Sequence, residues 1–307
     1  MARKQTLDLI LKTFRDLGGN LNEVMGTKTN ISFLGKGKQG EVQLKFFEDN
    51  LIKPFTRGIQ EINSAKQAYG NNYRKTKRGY DFILFHEAGH EWWGNYLSVS
   101  DWADFWIHEG TAVYAEALYI DEKFGIDEYY KFFEKRMLKN IPLKQAIVPH
   151  RNATMKDVSG LDPYNKGAYV LHMLRFLIGE ISLLEILKEF VNMKKDLPNN
   201  QVSTQDFIDL VHLKTGTNLD WFFKVYLYEK NYPVLVKKTE HGSNHTFIEL
   251  YWENEGFYMP VEVAYNSITG LKNRRISLSN KPTKIAIPQH NNIKIDPKNW
   301  LLFTLSD

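Results

Sequence analysis

The chain has 307 residues, of which nine are histidine and none is cysteine. A chain without cysteine can form no disulfide, no thiolate-bound zinc site, no iron–sulfur cluster and no catalytic thiol. Any metal ion must therefore be held by imidazole and carboxylate groups. Forty Lys and Arg residues against thirty-six Asp and Glu give a net charge of +4, and this small, dispersed excess predicts no nucleic-acid partner.

The first 50 residues are predicted to contain an amphipathic helix, a loop, and short strands around the sequences ISFL and EVQLKFF. No stretch approaches the roughly 20 consecutive apolar residues of a membrane span. The N-terminus also lacks the apolar core and the cleavage site of a signal peptide. We therefore expect a cytoplasmic protein from the chain as written, and an exported one if the chain is a fragment of a longer precursor.

From about residue 59 to 230 the apolar residues repeat with the 3.6-residue period of helices. Ser203 and Asp206 have the spacing of a capping box, and Ser182 is a second candidate cap. The predicted helices are 80–97, 104–124, 127–140, 162–179, one from about 182, one from 203 and one from 218.

At Pro233 the pattern changes to seven short, alternating, β-rich runs separated by turn residues. Such runs predict a small antiparallel β-sandwich. The sequence thus predicts an α+β protein with two domains, a mainly α-helical domain over residues 1–231 and a β-sandwich over residues 232–307.

The sequence His86-Glu87-Ala88-Gly89-His90 is the strongest chemical signal in the chain. On a helix, positions i and i+4 share one face, so both imidazoles can reach one metal ion. Glu87 projects beside them, where it can take a proton from a water activated by the metal. Two satisfied histidines on a packed helix are the alternative, but the apolar flanks FILF and WWGN make two unpaired imidazoles costly there.

Catalytic zinc normally has three protein ligands and a place for water, so a third ligand must come from elsewhere. Glu109, at the opening of the next predicted helix, is the natural choice. Glu116, two turns later, either orients a ligating histidine from outside the ligand set or is a plain helix-surface carboxylate. His108 directly precedes Glu109 and must point elsewhere, so we interpret it as structural.

The sequence HEAGHEWWGN, the eighteen residues between His90 and Glu109, and the sequence EGTAVYAE together resemble the aminopeptidase N family of gluzincin metallopeptidases. The similarity continues through SDWADFW, the Tyr-x-Lys-Gly spacing of Tyr164 to Gly167, STQDFIDLVHLKTGTNLDWFF and a β-rich end with IDPKNWLL. It covers about residues 58–307.

The resemblance implies a thermolysin-like catalytic domain that binds one Zn2+ ion per chain and hydrolyses peptides. It implies that His86, His90 and Glu109 bind the zinc, that Glu87 is the general base, and that Tyr164 donates its hydroxyl to the oxyanion. A phenol at a helix start beside zinc is a suitable preorganised donor. Without the resemblance, nothing in the sequence distinguishes Tyr164 among the sixteen tyrosines, and it would be interpreted as a core aromatic residue.

The resemblance is weaker upstream of the zinc motif. Family members carry Gly-x-Met-Glu-Asn there, and its glutamate binds the substrate α-amine; here Gly58 and Glu61 fall at matching offsets, but Gln60 and Ile62 replace the Met and Asn. Glu61 is thus either an amine anchor or an exposed helix glutamate. Residues 1–57 are too few for the family's N-terminal β-domain and form an atypical start.

The short N-terminal part would leave one side of the substrate cleft open, so a partner or a missing domain could cover it. The basic run at residues 74–78 is interpreted as a solvated loop, with contact to an acidic peptide or partner as the alternative.

Three functions follow from these signals. The first is a zinc aminopeptidase, and the second is a zinc endopeptidase or another gluzincin hydrolase, such as a leukotriene hydrolase. The third is a non-catalytic scaffold of the same fold, against which the intact set of ligands, base and tyrosine argues.

Overall fold

The computed structural model describes residues 24–27, 30–33, 82–138, 141, 145–160, 162–193, 201–267, 270–288 and 292–306. The helix predicted in the first twenty residues, the strand EVQLKFF, Glu61 and the basic run 74–78 lie outside these residues. The chain divides into two compact units, Met1–Tyr96 and Leu97–Asp307, which are described in turn.

In the first unit, β1 (Val24–Thr27) and β2 (Asn30–Phe33) pair antiparallel, which confirms the strand predicted at ISFL. Helix α1 (Phe82–Gly89) carries the first four residues of the HExxH motif. The prediction of one helix from 80 to 97 is wrong beyond Gly89, where the chain continues in turns. Gly94, with a φ of +149°, has a backbone conformation that is incompatible with a helix, so the helix cannot resume there.

The second unit is mainly helical up to residue 228. A 3-10 turn (Trp102–Asp104) precedes its first helix, and π-helical turns (Phe133–Met137 and Lys224–Tyr228) extend the second and the last. The α-helices described in this unit are α2 (Trp106–Phe124), α3 (Ile126–Phe132), α4 (Asp162–Ile178), α5 (Glu180–Asn192), α6 (Thr204–Thr215) and α7 (Asp220–Phe223).

Helices α2 and α4 pack against each other more extensively than any other pair of described helices. Both are buried along most of their length, and α4 carries an unbroken buried run from Asn165 to Phe176. Within the described residues, no helix is long and apolar enough to cross a lipid bilayer.

Local chemistry sets several helix ends as the sequence predicts. Gly125 follows α2 and Gly179 follows α4. The capping box before α6 is confirmed, because the Ser203 side chain accepts from the Asp206 N–H and the Asp206 carboxylate accepts from the Ser203 N–H. The cap predicted at Ser182 is wrong, because α5 begins two residues earlier, directly after Gly179.

Strands β3 (Ser98–Val99) and β4 (Gln201–Val202) form a short parallel pair among the helices. Seven strands are described after Pro233, and each overlaps, at least in part, one of the seven β-rich runs predicted there. These are β5 (Val234–His241), β6 (His245–Trp252), β7 (Val261–Ser267), β8 (Gly270–Ile276), β9 (Thr283–Pro288), β10 (Lys294–Ile295) and β11 (Thr304–Ser306).

These strands form a four-stranded sheet in the order β11-β5-β6-β9 and a three-stranded sheet in the order β10-β7-β8. In β6 the buried residues alternate with more exposed ones, as expected of a strand with one face in a core. Pairing is antiparallel except that β11 lies parallel to β5, so the prediction of wholly antiparallel pairing is wrong there. A parallel partner needs a crossover connection, and residues 296–303, which lead from β10 to β11, are the last part of it.

The crossover connection is bonded to the helices as it passes. The Asn299 carbonyl accepts hydrogen bonds from Tyr169 Oη and from His172 Nε2, and the Leu302 carbonyl accepts one from Tyr226 Oη (3.1 Å). The second unit therefore contains helices and sheets joined by shared hydrogen bonds, which confirms the mixed α+β class.

Candidate metal centre and active site

Helix α1 ends in a pair of facing histidines. The rings of His86 and His90 are half-buried, with centroids 4.7 Å apart and planes at 90°. The His90 N–H donates to the His86 carbonyl at 3.3 Å, so the i to i−4 pattern continues one residue past the helix. Both imidazoles therefore lie on one side of the helix end, and Glu87, also half-buried, is next to them in the sequence.

The turn after α1 orients the His90 ring. His90 Nδ1 lies 3.2 Å from the Trp93 carbonyl oxygen, which can only accept a hydrogen bond. Nδ1 therefore carries the proton, and Nε2 is the nitrogen that can bind a metal. A side chain at Gly94 would place its Cβ 3.0 Å from the His90 carbonyl oxygen and 3.4 Å from Nδ1. Gly94 had no predicted role, although a glycine directly after the two tryptophans is a signal for a turn.

A buried carboxylate fixes the start of α2. Asp104 is fully buried, accepts a hydrogen bond from the Thr204 N–H at 2.9 Å, and pairs with Arg151 Nη1 at 2.8 Å. Trp106 Nε1 donates to Thr204 Oγ1 at 2.9 Å. These bonds anchor the first turn of α2, which carries Glu109, to the start of α6.

The side chains predicted as metal ligands lie together. One donor atom from each of His86, His90 and Glu109 can be chosen so that all three lie within 4.8 Å of one another. Among the described residues, no other group of three or more His, Asp or Glu side chains is arranged in this way. Glu109 is only 7% exposed, and a buried carboxylate requires a cation or hydrogen-bond donors beside it. Two imidazoles and a carboxylate are typical donors of catalytic zinc, so these residues fit that ion.

Glu116 and His108 lie outside this group of three. Glu116 is 1% exposed on α2, so it is not the helix-surface carboxylate that the sequence left open. The His108 ring is half-buried and lies 6.0 Å from the Phe105 ring. The orienting role predicted for Glu116 and the structural role predicted for His108 stay predictions.

Tyr164 lies on the first turn of α4 and is half-buried. Its ring meets the Phe105 ring edge to face at 6.3 Å, and Phe105 is the residue directly before α2. One turn later, Gly167 of α4 packs against Gly110 of α2. Tyr164 is therefore placed beside the helix start that carries Glu109.

Lys166 is a buried cation, two residues after Tyr164, that had no predicted role. It is 1% exposed, and its Nζ donates to the Glu229 carbonyl at 3.1 Å and lies 5.6 Å from the centre of the Tyr232 ring. Burial lowers the pKa of Lys166 to about 8, although the negative charges of Asp162 and Glu229 act to raise it. This lysine ties the first turn of α4 to the end of the helical part.

The chain is similar to known proteins over the part that contains these residues. The model of the peptidase family M1 domain matches residues 65–226. Aminopeptidase Q of Acinonyx jubatus is 30% identical over 128 residues, which cover 36% of this chain and 12% of that protein. Aminopeptidase M1-B of Oryza sativa subsp. japonica is 22% identical over 256 residues, which cover 72% of this chain and 29% of that protein. The chain thus spans less than a third of the length of these two relatives.

Among solved structures, the aminopeptidase A of Legionella pneumophila in complex with aspartic acid is similar in fold. The TM-score is 0.59 at 18% sequence identity, and the match covers 74% of this chain and 27% of that chain.

Proposed function

The chain belongs to peptidase family M1, a family of zinc metallopeptidases, and from this premise we propose that it is a zinc aminopeptidase. Membership confirms the resemblance to the aminopeptidase N family of zinc metallopeptidases, and it makes Zn2+ the cofactor. The observation that carries the proposal is the grouping of one donor atom each from His86, His90 and Glu109 within 4.8 Å. The substrates are peptides with a free N-terminus.

In this proposal His86, His90 and Glu109 hold one zinc ion per chain. The bound ion would lower the pKa of a water molecule and polarise the scissile carbonyl. Glu87 takes the proton of the attacking water and passes it to the leaving amine. Tyr164 donates its hydroxyl to the carbonyl oxygen as negative charge develops there.

Two further carboxylates have supporting roles in the proposal. Glu61 binds the substrate α-ammonium through a charge-assisted hydrogen bond, which would restrict cleavage to the first peptide bond. Glu116 accepts a hydrogen bond from a ligating imidazole and so fixes its orientation. The near-complete burial of Glu116 supports such a role, because a carboxylate in that position needs a donor.

We also propose the finer architecture that this family suggests. Residues 1–231 form a thermolysin-like catalytic domain with an atypical start over residues 1–57, and residues 232–307 form a β-sandwich domain.

The test combines metal analysis with a single substitution. Zinc-loaded protein should hydrolyse aminoacyl chromogenic substrates and lose this activity on chelation. Glu87→Gln should keep one zinc per chain and lose about 10²- to 10⁴-fold in kcat, because the proton acceptor is gone. Glu185→Gln, at an exposed position of α5, is the matched control and should have wild-type kcat. Full activity in Glu87→Gln would refute the mechanism.

Blocked substrates test the exopeptidase assignment separately. The same peptide is offered with a free and with an acetylated N-terminus, and acetylation should abolish cleavage. Equal cleavage of both peptides would make the protein an endopeptidase and remove the role given to Glu61. A protein that binds no zinc while folded would be a scaffold.

A further inference from the structure

Helices α2 and α4 touch through their backbones at a pair of glycines. A Cβ atom added to Gly110 would lie 2.8 Å from the carbonyl carbon and 2.9 Å from the Cα of Gly167. A Cβ atom added to Gly167 would lie 3.0 Å from the Gly110 Cα. Ordinary contacts begin at 3.4 Å, so no side chain fits at either position without moving a helix. Glycine inside a helix costs about 1 kcal/mol relative to alanine, so the close approach is the physical reason for both.

The glycine pair lies between two residues of the proposed site. Gly110 directly follows Glu109, and Gly167 lies one turn after Tyr164 on α4. A second contact joins the same two helix starts, because the Phe105 ring meets the Tyr164 ring edge to face at 6.3 Å. One backbone contact and one aromatic contact therefore fix the first turn of α4 against the first turn of α2.

The surroundings leave this crossing little freedom to slide. Trp106 is fully buried, is hydrogen-bonded to Thr204, and has its Cβ 3.6 Å from the position that a Gly167 Cβ would occupy. Lys166, the residue directly before Gly167, is anchored to the Glu229 carbonyl. A Cβ introduced at the glycine pair would thus push the helices apart rather than move into a void.

We propose that Gly110 and Gly167 are positioning residues that set the separation between the metal-binding carboxylate of Glu109 and the oxyanion donor Tyr164. Neither glycine touches substrate or metal; each acts through the helix that carries the functional side chain. This inference rests on the proposed function, since it needs Glu109 and Tyr164 to act on the same carbonyl group.

The size of the expected effect follows from the contact distances. Bringing the Gly110→Ala contact from 2.8 to 3.4 Å requires a displacement of about 0.6 Å, and the Gly167→Ala contact requires about 0.4 Å, from 3.0 to 3.4 Å. Misplacement of a catalytic group by 1 Å can cost about 10²-fold in rate. We therefore expect kcat to fall about 10- to 100-fold in Gly110→Ala and less in Gly167→Ala, with KM changed less than about threefold.

The experiment compares Gly110→Ala, Gly167→Ala and the control Leu174→Ala in the full chain. Leu174 is fully buried near the other end of α4, so its truncation destabilises the fold without touching the glycine pair. Each protein is measured for kcat and KM, for zinc affinity by chelator competition, and for the absorption spectrum of its cobalt(II)-substituted form. The glycine variants should have lower kcat, weaker zinc binding and a changed cobalt spectrum, whereas Leu174→Ala should lower only the unfolding midpoint.

Wild-type kcat and an unchanged cobalt spectrum in folded Gly110→Ala would overturn the inference. So would an equal loss of kcat in Leu174→Ala at a temperature where both variants are folded. If Gly110→Ala does not fold, the smaller displacement of Gly167→Ala decides the question by the same measurements. A wild-type protein that cleaves no peptide refutes the proposed function, and the metal affinities and cobalt spectra then still test whether the glycines position Glu109.

Discussion

His172 should make the protein lose stability in acid. It is fully buried on α4, with its ring stacked between Phe133 (3.9 Å) and Trp300 (4.6 Å). The Asn299 carbonyl can only accept, so Nε2 carries the proton, and Nδ1 accepts from the Tyr129 hydroxyl at 2.8 Å. Both nitrogens are satisfied in the neutral ring, and charging it would break the bond from Tyr129. Burial accordingly lowers the pKa of His172 to about 3, an effect larger than that of its bond to Asn299.

The sign and size of the effect follow from proton binding. Unfolded His172 has a pKa of about 6.5, so between about pH 3 and pH 6.5 the unfolded state binds more protons than the folded state. The free energy of unfolding therefore falls as the pH falls through this window, and the full contribution is present above pH 6.5. Between pH 6.5 and pH 4.5 the loss from this residue is about 2 kcal/mol.

The assay is urea unfolding of wild type and His172→Gln at pH 6.5 and pH 4.5, with the change on acidification compared between the two proteins. Burial raises the pKa of Asp296 to about 7, so the contribution of this residue to the free energy of unfolding rises as the pH falls. Zinc affinity also depends on pH. Both contributions are shared by the two proteins and cancel in this comparison. Wild type should lose about 2 kcal/mol more than the variant. Equal losses in the two proteins would refute the reasoning.

Two further predictions concern the site and its support. Tyr164→Phe keeps the ring beside Phe105 and removes only the hydroxyl. The kcat on a chromogenic aminoacyl substrate should therefore fall about 10²- to 10³-fold, with the zinc content unchanged. An unaltered kcat would exclude the oxyanion role. Asp104→Asn replaces one buried carboxylate oxygen with a donor and weakens the bonds to Thr204 and the half-exposed Arg151. Chemical unfolding should therefore show a loss of about 2 kcal/mol, and an unchanged midpoint would contradict this.

Local chemistry made parts of the fold predictable. The capping box at Ser203 and Asp206 and the helix end at Gly125 depend on residues within a few positions of each other, and both were predicted correctly. The end of α1 was not, because the apolar 3.6-residue period continues past Gly89 through residues that form turns. The parallel pairing of β11 with β5 was also missed, because alternation reveals a strand but not its neighbour.

The features of the candidate site likewise divide into those that the sequence predicts and those that it does not. The spacing of His86 and His90 follows from helix periodicity, and Glu109 was chosen for its place at the opening of the next predicted helix. Tyr164, by contrast, needed a family resemblance to single it out among sixteen tyrosines. The contact of Gly110 with Gly167 and the bond from Lys166 to Glu229, 63 residues away, join distant segments. Such contacts depend on how helices cross, and a hydrophobic pattern contains no information about the crossing point.

The crossover connection has a consequence for how the second unit unfolds. Its carbonyl groups at Asn299 and Leu302 accept hydrogen bonds from helical side chains, and its next residues pair with β5. Releasing the sheet would therefore leave buried helical donors without acceptors, and releasing the helices would detach an edge of the sheet. Helices and sheets should consequently exchange their most protected amide hydrogens with one common opening free energy, as a single cooperative unit.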